Sequence, residues 1–190
     1  MAEALAKKSY YSKEEYLEME AAADYKSEYY QGEIFAMSGG TRKHSLVCVN
    51  LIRRISEGID NRDCQCFESN MKLEIAEADA YVYPDVMVVC GDAEAAENTT
   101  DAITNPVLII EVLSPSTESF DRGLKFEYYK TVPSLKEYVL VSQNKPKIEV
   151  FFRQNENLWT YTVVEGLDNN VVLQSLGYEM ALKKIYHKVS

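Results

Sequence analysis

The stretch Pro106-Val-Leu-Ile-Ile-Glu-Val-Leu-Ser114 (PVLIIEVLS) sets one carboxylate, Glu111, among six aliphatic residues. A run this apolar, bounded by Pro106 and by SPST at 114–117, predicts a strand covered on both faces. An ionised carboxylate there costs several kcal/mol unless something compensates it. Position alone leaves two readings open. One is structural: a pairing with Arg or Lys, or a strand end that reaches solvent. The other is functional: a metal ligand or a proton-transfer group.

Working outward, SPST breaks the strand and a helix is predicted from about Glu118 to Thr131, ended by Pro133. KEYVLVS (136–142) follows as a strand, and this strand–helix–strand spacing predicts a parallel, right-handed crossover. KIEVFFR (147–153) and LWTYTVVE (158–165) continue as strands, and EMALKKIY (179–186) is expected as a short closing helix. Upstream, Ser12-Lys-Glu-Glu15 is a capping box that opens a helix to about Ala22. SEYYQGEIFAMS (27–38) predicts a hairpin turning at Gln31-Gly32. Thr41 caps a long helix whose Val47, Leu51, Ile55 and Ile59 recur every four residues. CQCFESNMKLEI (64–75) alternates as one strand, and YVYPDVMVVC (81–90) as another, nearly apolar except for Asp85. GDAEAAENTTDAITN (91–105) is expected as an acidic loop with a helical turn. The class is α/β with a mixed sheet.

The chain has 190 residues, 46% hydrophobic and 26% charged, as expected of one globular domain with a loosely ordered start over residues 1–11. No apolar run reaches the roughly 20 residues of a membrane span, and MAEALAKKSYYSKEE lacks a signal-peptide apolar region. A cytoplasmic protein is expected, with no membrane partner. Cys48, Cys64, Cys66 and Cys90 are then expected as reduced, mostly buried thiols. With two histidines and no Cys-x-x-Cys knuckle, a structural zinc site is set aside. A net charge of −10 argues against a dedicated nucleic-acid binder but leaves room for an enzyme that meets nucleic acid through a few cations and a metal. An acyl-transfer hydrolase finds no recognisable nucleophile–base motif.

Asp85, preceded by Pro84, is a second acid inside a second apolar strand. Two acids on neighbouring strands would repel and hold a proton between them unless a divalent cation joined them, and hard oxygen donors suit Mg2+ or Mn2+. Glu33 is a third acid in an apolar strand. Asp121 and Lys125 lie four apart and share a helix face, which fits either a surface ion pair or a site. His44 shares a face with Val47 and Leu51, as either a core-edge histidine or a site residue.

The series YPDVMVV, PVLIIEVLSPST, DRGLKFEYY and EYVLV, with QGEIFAMSGGTRKHSLVCVNL upstream and LGYEMALKKIY downstream, resembles the Uma-type family of bacterial endonucleases. That family is a branch of the PD-(D/E)XK superfamily, and the resemblance runs over about residues 12 to 187. It implies a restriction-endonuclease-like mixed β-sheet flanked by helices, with Mg2+ (or Mn2+) held by Asp85 and Glu111 and completed by Glu33. A lysine should assist hydrolysis of DNA, but Leu113 stands where Glu-x-Lys would place it. In this branch the lysine is matched by Lys125 on the following helix. Asp121 and His44 would support the site, while Arg122 and Arg42 would meet neighbouring phosphates. Cutting both strands with one site per chain would call for a homodimer. The absent Glu-x-Lys lysine and the acidic charge also fit a nuclease-fold binding or assembly module that no longer cuts.

Overall fold

A computed structural model describes residues 10–189. The elements run α1 Lys13–Ala22, β1 Ser27–Tyr30, β2 Glu33–Ala36, α2 Arg42–Ile59, β3 Cys64–Glu68, β4 Lys72–Ile75, β5 Ala80–Val82 and β6 Val86–Cys90. They continue with β7 Ala95–Ala96, β8 Thr99–Ile103, β9 Leu108–Leu113, α3 Glu118–Arg122, α4 Leu124–Lys130 and β10 Glu137–Ser142. The chain ends with β11 Lys147–Asn155, β12 Leu158–Glu165, β13 Asn170–Leu173, β14 Tyr178–Ala181 and α5 Leu182–Ile185.

Two mixed sheets are built, in the orders β2-β1-β5-β4-β8-β7 and β12-β11-β10-β9-β6-β3, with β13 and β14 as a separate hairpin. PVLIIEVLS forms β9, buried at every strand position, and β9 pairs parallel with β10 across the helical connection. Its alternation divides the core. Leu108, Ile110 and Val112 pack with Val47, Leu51 and Ile55 of α2. Ile109 and Leu113 pack on the other face with Tyr129, Leu135 and the second sheet's Leu73, Ile75 and Val82.

Several boundaries depart from the sequence pattern for identifiable reasons. CQCFESNMKLEI and YVYPDVMVVC are each two strands, not one. Together they make a long antiparallel ladder that bends in the middle: β3 pairs with β6 in one sheet, β4 with β5 in the other. The bend falls at Pro84-Asp85. Pro84 donates no ladder hydrogen bond, and the Tyr83 N–H is taken by Glu28 Oε1 at 3.1 Å. Alternation cannot register this, because both halves are apolar. The expected loop after Cys90 instead carries β7 and β8, with β8 parallel to β4. The helix of 118–131 is broken at Gly123 (φ −112°, ψ −104°) into α3 and α4. In EMALKKIY the strand β14 precedes a single helical turn.

The thiol expectation is corrected at two positions. Cys64 and Cys90 face each other across the β3–β6 ladder and form a disulfide, while Cys48 and Cys66 are half-buried thiols. Residues 1–9 of the expected loose start lie outside the described residues. Tyr11 already donates its N–H to Gly32 O at 2.9 Å. Among the described residues no helix is long and apolar enough to cross a membrane.

Candidate active site

Glu111 is compensated in the place where the sequence made it costly. Its side chain is 5% exposed; Tyr129 Oη donates to Oε1 at 2.7 Å, and Lys125 Nζ lies 2.9 Å from the same oxygen. Lys125 reaches it from α4, buried over the Tyr129 ring. The same ammonium is 3.3 Å from Glu28 Oε1 and 3.8 Å from Asp121 Oδ1. The helix break at Gly123 thus still leaves Asp121 and Lys125 facing each other.

Asp85 joins this group through strand register. Val86 pairs with Ile110 in the β6–β9 ladder, so Asp85 falls opposite Glu111 at the strand end. Its Oδ2 accepts the Val112 N–H at 2.7 Å and lies 3.1 Å from His44 Nε2. His44 is held by the start of α2. Thr41 accepts the His44 N–H at 3.1 Å and donates to Gln143 Oε1, and Gln143 Nε2 donates to Leu113 O at 2.8 Å. This chain pins α2 to the end of β9. The other ring nitrogen, Nδ1, faces Cys48 Sγ at 3.5 Å.

The charge balance is uneven. Glu28, Glu111 and Asp121 meet one lysine, while Asp85 beside them faces His44. Burial pushes the Glu111 carboxyl up to about 8, against the pull of Lys125, with Asp121 and Asp85 adding to the rise. Burial also raises Asp121, again opposed by Lys125. For Lys125 burial works against the charge, but Glu111 and Glu28 more than offset it and hold the ammonium well above the ordinary lysine range. Such a cluster demands further positive charge. Asp85 Oδ1 and Glu111 Oε2 are placed to receive it and accept no hydrogen bond among the described residues. These are hard donors, and they fit Mg2+ or Mn2+.

The group lines a cleft of about 1560 Å³, together with Glu33, Thr41, Cys48 and Thr117. Glu33 stands exposed at the first position of β2, opposite Tyr30. The acid that β1–β2 delivers to the lysine is Glu28, which the sequence reading passed over. Neither arginine lines the cleft. Arg42 is exposed at the start of α2. Arg122 is committed elsewhere, with Nη1 and Nη2 each 2.7 Å from a Glu149 oxygen and Nε 2.8 Å from Glu118.

Cys48, His44 and Asp85 form a nucleophile–base–acid chain that the sequence did not announce, because i, i+4 spacing on a helix is no hydrolase motif. Burial pushes the Cys48 thiol well up, with Asp85 and Glu111 adding to the shift, which is the reverse of what a thiolate nucleophile needs.

Two mixed sheets flanked by helices, with acids and a lysine gathered at one end of the central strands, are of restriction-endonuclease-like architecture. The chain belongs to the Uma2 family, described as "Putative restriction endonuclease", whose model matches residues 13–183. It is 37% identical to "Uncharacterized protein slr1290" of Synechocystis sp., over 92% of this chain and 90% of that one. It is 40% identical to "Uncharacterized protein sll1609" of the same organism, over 80% and 86%. The fold matches the crystal structure of "a putative nuclease belonging to DUF820" from Anabaena variabilis, with a TM-score of 0.76, 18% identity, and 93% and 98% of the two chains covered.

Proposed function

We propose that the protein is an endonuclease that hydrolyses phosphodiester bonds in DNA with a divalent cation, Mg2+ or Mn2+. The observation that carries this reading is Lys125: a buried ammonium 2.9 Å from Glu111 and 3.3 Å from Glu28, beside a strand end where Asp85 falls opposite Glu111. Membership of a family described as restriction endonucleases supports the same class of reaction.

In this reading Asp85 and Glu111 hold the cation through Oδ1 and Oε2. Bound there, the cation would polarise the scissile phosphate and lower the pKa of an attacking water. Lys125 stabilises charge developing on the phosphate, in the role that Leu113 cannot fill. Glu28 and Asp121 orient the ammonium, and Tyr129 orients Glu111. His44 holds Asp85 by the other oxygen, Oδ2. Arg42 is the cation left to meet a neighbouring phosphate. Double-strand cleavage would bring two chains together as a homodimer.

The test is cleavage of duplex DNA, single-stranded DNA and RNA with Mg2+ and Mn2+, with Asp85→Asn as the control. Metal-dependent cutting that the variant lacks supports the reading. The second reading, a nuclease-fold binding module, is favoured by the commitment of Arg122 to Glu149 and by the acidic charge. A parent inert on every substrate with either metal would make it the better account.

A further inference from the structure

We propose that His44, Cys48 and Asp85 form a site for a thiophilic divalent cation such as Zn2+ or Co2+, whose binding competes for the charge of Asp85. The sequence reading set aside a structural zinc site because spacing along the chain offered none; this site is assembled by the fold. One donor atom from each residue lies within 4.8 Å of the others, and all three residues line the open cleft. His44 Nε2 is 3.1 Å from Asp85 Oδ2, and Cys48 Sγ is 3.5 Å from His44 Nδ1. Two ligands of one tetrahedral zinc stand roughly 3.3–3.6 Å apart, from Zn–N near 2.0 Å and Zn–S near 2.3 Å. The two contacts fall on opposite ring nitrogens, so each alone is near ligand spacing, and it is the mutual 4.8 Å limit on one atom per residue that brings all three donors within reach of one ion. A turn of the imidazole sets one nitrogen between sulfur and carboxylate, and the cleft supplies a solvent ligand for the fourth position.

The donor set selects the ion. A thiolate and an imidazole beside one carboxylate suit borderline-soft cations, whereas Mg2+ takes oxygen donors. Binding breaks the Cys48 S–H bond, forms the S–metal bond and releases the proton to solvent, with no change of oxidation state. Coordination also offsets the burial, and the acidic surroundings that add to it, that keep the thiol protonated. Asp85 offers Oδ2 to this site and Oδ1 to the hard cation, and one carboxylate charge shared between two dications that repel each other binds each more weakly, so a soft cation would antagonise the hard one. That antagonism rests on the proposed nuclease reading; the binding itself does not.

The experiment is a Co2+ titration of the whole, non-reduced protein, followed by thiolate-to-cobalt charge-transfer absorption. Cys48→Ser, Cys48→Ala and Cys66→Ser are run alongside. One equivalent should develop the band in the parent and in Cys66→Ser, and the band should be lost in both Cys48 variants. Zn2+ should bleach it and should weaken stabilisation of the parent by Mn2+. Cys48→Ser should keep Mg2+-dependent cleavage and become at least about tenfold less sensitive to Zn2+. No band in the parent, or a band that survives both Cys48 variants, overturns the site. A protein that develops the band but never cuts DNA keeps this site and loses the nuclease reading; one that cuts without the band does the reverse.

Discussion

Lys125 Nζ lies 2.9 Å from Glu111 Oε1 with both side chains closed off from solvent, so Glu111 helps keep the ammonium charged while Lys125 opposes the burial that raises the carboxyl. Removing the lysine is therefore not a neutral deletion of one catalytic group. Lys125→Met strands a buried carboxyl, which costs about 3–5 kcal/mol when that carboxyl must ionise. The sign follows from the raised carboxyl. Stability from protonated Glu111 is complete below the ordinary glutamate range, near ~4.3, and is lost as pH rises through about 8. The variant's deficit in urea unfolding should widen as pH climbs through that value. Cleavage should fall by ~100-fold, as for one lost charge-stabilising donor. Parent-like cleavage by Lys125→Met would end the migrated-lysine reading.

Asp85→Asn separates ligand from scaffold. The amide oxygen can still accept the Val112 N–H, so the strand end is kept, while one negative charge leaves the acid cluster. Metal-free melting temperature should rise. The parent should gain stability with Mn2+, by about 2.7 kcal/mol at a hundred times Kd; the variant should gain nothing. An unchanged response to Mn2+ would make Asp85 structural.

Glu28 and Glu33 sit five residues apart on one hairpin and should behave oppositely. Glu28→Gln can still accept the Tyr83 N–H but no longer faces Lys125 with a charge. Cleavage should drop by about tenfold or more. Glu33→Gln, on an exposed strand end, should stay within about 0.5 kcal/mol of the parent in stability and cleave as the parent does. Equal losses from both would restore Glu33 to the site.

Asp85 and Glu111 were legible because a carboxylate inside an apolar run has no ordinary reason to be there. Lys125 was legible only through resemblance, since a lysine four residues past an aspartate looks like any surface pair. Glu28 was hidden because a hairpin offers acids on both strands, and only three-dimensional packing decides which one turns inward. The bend at Pro84-Asp85 was hidden because each sheet buries its half of the ladder, so apolarity runs on through the turn. The Cys64–Cys90 pairing depended on the register of that same ladder, which spacing along the chain does not reveal.

That disulfide gives the last prediction. It closes a loop with a sequence separation of 26, which in the chain-entropy account is worth about 3.5 kcal/mol. Cys66 lies opposite Val88 and has no thiol across the ladder to exchange with. Thiol titration of the unfolded, non-reduced protein should therefore count two free thiols, Cys48 and Cys66. Reduction, or Cys64→Ser, should lower the unfolding free energy by about that amount and move the urea midpoint down, with a steeper transition as the unfolded chain expands. The site should be spared, because β6 meets β9 through Val86, Met87 and Val88, not through Cys90. Mn2+ stabilisation should accordingly survive reduction. Four free thiols in the untreated protein would remove the bridge, and loss of the Mn2+ response on reduction would show that the far end of β6 holds Asp85 in place.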